Sequence, residues 1–272
     1  MELLPVHTPI LRPHDDLASM IATMIEQRDG DIVVLSSKAV ATVEGAMIDL
    51  SSLKPGQEAI AWSEKTGRSA EFCEAVLRET QRLHGEIVGH CSHVLLTELH
   101  PEGLSSGSIL TANAGLDESN VAAGFAIGWP RDPVGSVGKM KRALMGHRTR
   151  NKEQGTRNNC RLAVILTDSC VRPRRLGVTA FALAVSGMDP LASQIGKLDL
   201  FGKPLHITIE AVADQLAVAA NFLMGNAGQS IPAVIVRDHG LALSDSEGWV
   251  PGISREGDLF GDCGGKILRA GN

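Results

Sequence analysis

Two short blocks of the sequence combine carboxylate, hydroxyl and amide side chains at spacings that suit metal and phosphate chemistry. Residues 111–120 read TANAGLDESN, with Asp117 three positions before Asn120. Residues 166–175 read LTDSCVRPRR, and there Asp168 and Ser169 follow an apolar run that predicts a strand. Oxygen ligands at strand ends, beside Gly-rich backbone and basic residues, are typical of a divalent cation that holds phosphate.

Each candidate also has a plain structural interpretation, and the residues alone leave the choice open. Asp117, close to Gly115, is typical of a turn in which the carboxylate accepts backbone N–H groups. Ser37 and Lys38 follow a buried strand predicted at 31–35, where backbone N–H groups and an ammonium can meet phosphate. The same pair also fits an ordinary polar turn.

Two further polar segments can also be interpreted by function or by structure. The segment 172–175 (RPRR) predicts either an anion clamp or a solvated turn. Asp214 and Gln215 lie in an alanine-rich predicted helix, where a single polar pair indicates the exposed face.

Composition and motifs exclude several function classes. The 272 residues carry a net charge of -5 and 3% aromatic residues, so no nucleic-acid partner is expected. Five scattered cysteines without a CxxC pair argue against a disulfide framework and structural zinc. No apolar run suits a membrane span and the first residues lack signal-peptide regions, so a cytoplasmic protein is predicted. No G-x-x-x-x-G-K-[ST] motif occurs, which excludes a P-loop.

Apolar periodicity predicts the elements that position these residues, with Asp15 or Asp16 capping the first helix. The predicted helices cover residues 17–25, 63–84, 134–145 and 209–224, the last ending at Gly225. The predicted strands cover residues 31–35, a stretch around 87, 93–97, 109–112, 162–166, 180–185, 205–209 and 233–237. The basic segment 147–159 predicts a solvated loop. This mixture, without βαβ alternation, favours an α+β or irregular α/β fold over a Rossmann sheet.

In their order along the chain, these blocks resemble the coenzyme F-420-0:L-glutamate ligase family, the gamma-glutamyl ligases of deazaflavin biosynthesis. The resemblance runs from TPILRPHDD (8–16) and DGDIVVLSSK (29–38) through TANAGLDESN to ADQLAVAANFLMGNAGQSIP (213–232). It implies a single ligase module over residues 1–272, with two structural lobes dividing near 130–160. It also implies an α+β fold with mixed sheets and packed helices, assembled as an intertwined homodimer.

The resemblance further implies a GTP-dependent ligase that joins L-glutamate to deazaflavin phospholactate through an amide. In the expected route GTP phosphorylates the acceptor carboxylate, the glutamate amine attacks the acyl phosphate, and phosphate leaves. A carboxylate is a poor electrophile, and phosphorylation supplies its leaving group. The implied metal is Mg²⁺ or Mn²⁺, which offsets the charge opposing transfer, with K⁺ as a further candidate ion.

Carried over residue by residue, the resemblance makes Asp117 and Asp168 metal ligands and Asn120 a GTP contact. Ser169, where the family usually has threonine, becomes the hydroxyl ligand of a second metal. Asn226 stands where the family commonly has a metal-contacting glutamine, and it keeps the amide oxygen. The other residues expected to bind the nucleotide are Pro9, Ile10, Leu11, Ser37, Lys38, Thr42, Met224, Gly225, Ala227, Gly228, Gln229, Ser230 and Ile231.

Several positions depart from the family pattern and leave alternatives open. Thr42 replaces a lysine, residues 193–196 (SQIG) replace an Asp-x-Arg-Gly, and Arg174 replaces an aromatic residue. These departures favour, as one alternative, a relative that couples a different acid and amine. A second alternative is a catalytically inactive nucleotide-binding homologue, against which the retained Asp117 and Asp168 argue.

Overall fold

The computed structural model describes residues 1–150 and 161–260. In chain order the helices are α1 (Leu17–Met24), α2 (Ser37–Val43), α3 (Gln57–Thr66), α4 (Ala70–Arg82), α5 (Pro133–Arg150) and α6 (Val212–Met224). The strands are β1 (Glu2–Val6), β2 (Ile32–Ser36), β3 (Ile48–Asp49), β4 (Glu86–Cys91), β5 (Val94–Leu99), β6 (Ile109–Ala112), β7 (Phe125–Ala126), β8 (Ala163–Val171), β9 (Val178–Ser186), β10 (Ala192–Ser193), β11 (Ile209–Glu210), β12 (Ala233–Arg237) and β13 (Glu247–Trp249). Among the described residues, no helix is both long enough and apolar enough to cross a membrane.

The chain divides into two compact units, and neither is a continuous stretch of sequence. Unit 1 comprises Met1–Val43 and Asp132–Val250. Unit 2 comprises Glu44–Arg131 and, from the end of the described chain, residues 251–260. Helices and strands of mixed direction occur throughout the described residues, so the predicted α+β class is confirmed.

Unit 1 is built on a large sheet whose described strands run in the order β1-β12-β2-β8-β9-β13. β2 and β8 run parallel, and the other neighbours run antiparallel. The four apolar residues of β2 are all fully buried, which is typical of a strand covered on both faces. Leu216, Ala217 and Ala220 of α6 join the core that includes Val34 and Ile165, while α5 packs against β8 and β9.

Unit 2 combines a small sheet of order β4-β5-β6 with the β3–β7 pair and with α3 and α4. β5 alternates buried Leu95, Thr97 and Leu99 with half-buried residues, the period-2 pattern of a strand with one face on a core. α4 contacts β5 and buries Phe72 and Val76. The small sheet and α4 thus share one apolar core.

The single helix predicted at 63–84 is wrong, because the chain forms two helices there. α3 ends where Gly67 adopts a left-handed φ of 72° and its N–H donates to Ser63 O at 2.8 Å. α4 begins at a new cap, where the Ser69 hydroxyl accepts the Phe72 N–H at 3.1 Å. The sequence carried both signals, a glycine and a serine, inside an otherwise helical pattern.

Other boundaries also differ from the prediction. The strand predicted at 205–209 is wrong except at its last residue, which opens β11. α5 is longer than predicted, so 147–150 are helical rather than a loop, and 151–159 lie outside the described residues. The strands at 109–112 and 233–237 and the helix end before Gly225 are confirmed. So is the Asp16 cap, which accepts the Ser19 N–H at 2.9 Å.

Candidate functional site

Four predicted site segments meet at one edge of the large sheet of unit 1, here called the site edge. Val6, the last residue of β1, pairs with Ala233, the first of β12, and Ala233 pairs with Leu35. Ser36, the last residue of β2, pairs with Thr167 of β8. The chain on either side of these residues supplies segments 8–11, 224–232, 36–38 and 167–169. Strand pairing therefore joins segments that are far apart in sequence.

Two backbone hydrogen bonds connect the segments beyond the strands. The Thr8 N–H donates to Ser230 O at 3.1 Å, which ties the segment after β1 to the loop before β12. The Ser36 N–H donates to Pro232 O at 2.9 Å, which ties the same loop to the start of α2. The site edge is thus continuous from β1 to β8.

Asp168 lies inside β8 rather than after its end, because the strand continues to Val171. The parallel pairing with β2 stops at Thr167, so Asp168 is the first residue of β8 beyond it. Asp168 and Ser169 are half-buried, and the Ser169 N–H donates to Asp168 Oδ1 at 2.8 Å. The predicted strand end is therefore wrong, although the position at the site edge suits a ligand.

Ser37 and Lys38 open α2 directly after β2. Ser37 is buried and Lys38 is half-buried. The Thr42 hydroxyl donates to Lys38 O at 2.8 Å, one helical turn away. A threonine hydroxyl is neutral, so Thr42 does not replace the charge of the lysine that the family resemblance implies there. Its contact with the nucleotide stays a prediction.

The loop between α6 and β12 is shaped by Gly225 and Gln229. Gly225 has a φ of 66°, and its N–H donates to Asn221 O at 2.8 Å. The Gln229 side-chain amide fills the space that a Cβ at Gly225 would need, and Gln229 Oε1 accepts the Ala227 N–H at 2.9 Å. The exposed residues of the loop are Asn226, Ala227, Gly228, Gln229 and Ser230.

The remaining nucleotide candidates lie at the ends of these segments. Met224 and Ile231 pack against the core of unit 1 and so anchor the two ends of the loop. After β1, Pro9 is exposed, Ile10 is 85% exposed and Leu11 is half-buried. The site edge therefore presents apolar side chains as well as polar ones.

The other two candidates, Asp117 and Asn120, follow a tight turn in unit 2. Asn113, Ala114 and Gly115 all have positive φ values, of 52°, 52° and 78°. Asn113 Oδ1 accepts the Leu95 N–H at 2.8 Å, and the Ala114 N–H donates to Thr97 Oγ1 at 3.1 Å. These bonds attach the turn to β5. They give the Asn-Ala-Gly sequence a structural role, which is to form this turn.

Asp117 is held by its own backbone and by the residues that follow. Its N–H donates to Ile127 O at 2.8 Å and its C=O accepts the Ile127 N–H at 2.9 Å. Its carboxylate accepts the Glu118 N–H at 2.7 Å and the Ser119 hydroxyl at 2.5 Å. The turn given above as one interpretation is thus present. Asn120 is exposed with a φ of 58°, and the ligand roles of both residues stay predictions.

Asp214 has a role that the sequence analysis missed. It is half-buried rather than on the exposed face of α6, and its Oδ1 accepts the Ala182 N–H of β9 at 2.8 Å. Gln215 is exposed, as predicted. The partner of Asp214 is a backbone group 32 residues away, so no local pattern could indicate it.

The arginine-rich segment forms the exposed turn between β8 and β9, where the Arg175 N–H donates to Arg172 O at 3.2 Å. Cys170, nearby in β8, is half-buried. Burial raises the pKa of the Cys170 thiol, Arg172 lowers it, and Asp214 and Asp168 raise it further.

The sequence profile described as F420-0:Gamma-glutamyl ligase matches residues 5–238. The chain belongs to this family. The resemblance carried by the motifs is therefore confirmed, and the matched range contains every predicted site residue from Pro9 to Ile231.

Three relatives with the name Coenzyme F420:L-glutamate ligase illustrate the similarity. The Methanothermobacter thermautotrophicus protein is 35% identical over 260 residues, which cover 92% of this chain and 94% of the relative. The Archaeoglobus fulgidus protein is 34% identical over 266 residues, covering 97% of each chain. The Methanosarcina acetivorans protein is 36% identical over 229 residues, covering 84% and 82%.

The predicted metal ligands of this member of the F420-0:Gamma-glutamyl ligase family are all oxygen side chains. Within residues 1–150 and 161–260, no group of three or more His, Cys, Asp or Glu side chains is placed to hold a metal. Mg²⁺ in phosphate chemistry commonly takes one or two carboxylates and completes its shell with phosphate and water. Asp168, Ser169 and Asn226 in unit 1 and Asp117 in unit 2 offer oxygen donors of that kind.

Proposed function

We propose that this chain is a nucleotide- and divalent-metal-dependent amide ligase. It adds L-glutamate to deazaflavin phospholactate through an acyl phosphate. The observation that carries the proposal is the family match over residues 5–238, within which unit 1 gathers four predicted segments at one sheet edge. GTP is the proposed phosphate donor, because the family resemblance implies it.

In this proposal Asp117, Asp168, Ser169 and Asn226 supply oxygen ligands for Mg²⁺ or Mn²⁺. The bound ion would neutralise phosphate charge that otherwise opposes attack by a carboxylate. Lys38 and the backbone around Ser37 contact the phosphate groups, and Lys38 adds a positive charge at the site edge. K⁺ stays a further candidate ion.

The proposed chemistry consists of two successive displacement reactions. The acceptor carboxylate attacks the γ-phosphorus of GTP, the bond to the β-phosphate oxygen breaks, and GDP leaves. The amine of L-glutamate then attacks the acyl carbon, the carbon–oxygen bond to the phosphoryl group breaks, inorganic phosphate leaves with that oxygen and the electron pair, and the amine loses a proton. The loop at 224–231, shaped by Gln229 and Gly225, contacts the nucleotide. Asn120 contributes a further contact.

We also propose that the protein acts as a homodimer. Between residues 191 and 209 unit 1 exposes a run of apolar side chains on a short arm, where β10 pairs with β11. Exposed apolar side chains concentrated in one segment favour an interaction site there. The exposed apolar residues of the arm are Leu191, Ile195, Leu198, Leu200, Phe201, Ile207 and Ile209.

A ligase of the same family that couples a different acid and amine is the second candidate. Two departures favour it. Thr42 is neutral and donates its hydroxyl hydrogen to Lys38 O, so this chain lacks the positive charge of the lysine that the family resemblance implies at position 42. The segment 193–196 lies on the exposed arm and carries no charged side chain.

The deciding experiment is a one-pot ligation. Purified protein is incubated with Mn²⁺, GTP, deazaflavin phospholactate and L-glutamate, and the products are identified by mass spectrometry. A product heavier by one or more glutamyl residues, absent without GTP or Mn²⁺, supports the proposal. Parallel reactions with ATP establish the nucleotide preference.

The other outcomes separate the alternatives. No product, but a melting temperature raised by GTP with Mn²⁺, shows a working nucleotide site, because ligands that bind only the native state stabilise it. That outcome fits both a ligase for a different acid and amine and an inactive nucleotide-binding homologue, and release of phosphate from GTP with other acids and amines then separates the two. Neither product nor stabilisation contradicts the proposed function. Wild-type protein is compared throughout with Asp168→Asn, which tests whether turnover depends on the proposed metal ligand.

A further inference from the structure

Asp214 takes no part in the proposed chemistry, yet its hydrogen bond to β9 lies one register position from the proposed metal ligand Asp168. Its Oδ1 accepts the Ala182 N–H at 2.8 Å. In the β8–β9 ladder Ala182 pairs with Thr167, and the next residue, Phe181, pairs with Asp168. α6 is therefore bonded to β9 at the register position beside that of Asp168.

The ladder is irregular at this position. The register shifts between Leu166 and Thr167, so that Leu183 is an extra residue on β9. A bulge of this kind disrupts ladder hydrogen bonds, bends the strand, and often redirects a side chain near an active site. Two side chains bond to the β9 backbone just beyond it, since the Thr167 hydroxyl donates to Phe181 O at 2.8 Å and Asp214 accepts from Ala182.

We infer that Asp214 is a positioning residue, whose bond to β9 holds the bulge and thereby orients Asp168 for metal binding. The inference rests on the proposed function, in which Asp168 is a metal ligand. An ionised acceptor makes a stronger bond to an N–H group than a neutral one, and an acid is favoured in the first turn of a helix. Both facts suit Asp214 to this role.

The same helix also leads into the nucleotide loop. α6 packs against β9 and β12 and ends at Met224, where the loop 224–231 begins. A bond at the start of α6 therefore relates β9, the strand paired with the one that carries Asp168, to the loop that carries Asn226. One rigid element can thus set the separation of two proposed oxygen ligands of unit 1.

The test compares Asp214→Ala with Gln215→Ala, a control at the next, exposed position of α6. Mn²⁺ affinity is measured by the electron paramagnetic resonance of free Mn²⁺, with and without GTP, and kcat and KM are measured for the ligation. Asp214→Ala is expected to weaken Mn²⁺ binding by about tenfold, as for outer-shell partners of metals. It is also expected to lower kcat and leave KM for L-glutamate unchanged. Gln215→Ala changes none of these.

Two further variants distinguish positioning from simple stabilisation. Asp214→Asn keeps an acceptor oxygen and is expected to restore most of the Mn²⁺ affinity. In an Asp168→Asn background, Asp214→Ala is expected to have little further effect, because residues that act through one another are not additive. Fully additive losses would overturn the inference.

The outcomes also separate this inference from the proposed function. If the wild-type protein binds no Mn²⁺ and makes no product, the proposed function and the inference both fail. If Asp168→Asn loses Mn²⁺ while Asp214→Ala keeps it and only melts earlier, the inference alone is wrong. Should Asp214→Ala not fold, the nearly isosteric Thr167→Val removes the other bond to β9. The same loss of affinity is expected there, and unchanged binding contradicts the inference.

Discussion

At the scale of single residues, a neighbouring backbone N–H group holds each of two carboxylates proposed to bind metal. Asp117 and Asp168 lie in different units, yet the carboxylate of each accepts the N–H of the next residue, from Glu118 at 2.7 Å and from Ser169 at 2.8 Å. A carboxylate held in this way loses less conformational freedom when it binds a cation. Such bonds also form where no ligand binds, so the ligand roles of both residues stay predictions.

Asp168→Asn tests the metal assignment most directly. The substitution keeps size and hydrogen-bonding capacity but removes the charge, so turnover is expected to fall by more than about 100-fold, since even outer-shell partners cost about 10- to 100-fold. Steady-state kinetics and the melting temperature are measured together. Asp245→Asn, at an exposed position of unit 1, is the matched control. Near-normal turnover in Asp168→Asn would make the assignment wrong.

Gly115→Ala is expected to destabilise unit 2 for two separable reasons. Gly115 and Gly124 both have positive φ, of 78° and 84°, which costs an alanine about 1–2 kcal/mol. A Cβ at Gly115 would also lie 2.6 Å from the Trp129 ring, whereas nothing lies within 4 Å of one at Gly124. Overpacking adds about 1–3 kcal/mol.

Gly124→Ala is therefore the matched control for this prediction. Urea denaturation of both variants gives the change in the free energy of unfolding. A larger loss in Gly115→Ala than in Gly124→Ala is expected. Equal losses would mean that the Trp129 ring moves aside for the new methyl group without lowering the free energy of unfolding.

At the scale of elements, the sequence predicts what local signals encode. β12 and the end of α6 agree with prediction, because an apolar run and Gly225 mark them locally. The site edge depends on which strands pair, and β1 joins β12 from the opposite end of the chain. The role of Asp214 could not be predicted for the same reason, whereas the break at Gly67 was encoded and missed. The site edge and the role of Asp214 could not be predicted, because both depend on contacts between residues that are far apart in sequence.

The junction between α3 and α4 gives a prediction of pH dependence. Glu74 of α4 accepts the N–H of Gly56, the N-cap residue of α3, at 3.1 Å. This bond, and then Arg78, lower the pKa of the Glu74 carboxyl. A carboxyl whose pKa is lower in the folded state stabilises the protein above its unfolded pKa, about 4.3. The contribution is lost as the pH falls through the folded value.

Glu74→Gln is therefore expected to destabilise the protein at pH 7 and to lose that effect in acid. Urea denaturation of wild type and variant, at pH values from 7 down to 3, measures the difference in the free energy of unfolding. Glu64→Gln, at an exposed position of α3, is the control. A difference that stays constant across this range would show that the charge of Glu74 contributes nothing.

At the scale of the whole molecule, the exposed arm of unit 1 is the surface on which the proposed dimer depends. Leu200 is 100% exposed and Phe201 is 86% exposed, although both are large apolar side chains. Single exposed apolar residues are normal in monomers, whereas the seven within residues 191–209 are concentrated in one segment. A second copy of this chain offers the same run, so the two arms can bury each other in a symmetric contact.

Replacing Leu200 and Phe201 together by aspartate tests this contact. Wild-type protein is expected to sediment as a dimer of 28.8 kDa chains, and the variant as a monomer, because two charges per arm would have to be desolvated without partners. Ile60→Asp, a lone exposed apolar position on α3, controls for added charge and should remain dimeric. Because the arm carries no proposed ligand, Mn²⁺ binding by the monomeric variant then reports whether each chain holds its metal alone. A wild-type monomer would contradict the dimer proposal, and a dimeric double variant would place the interface elsewhere on the chain.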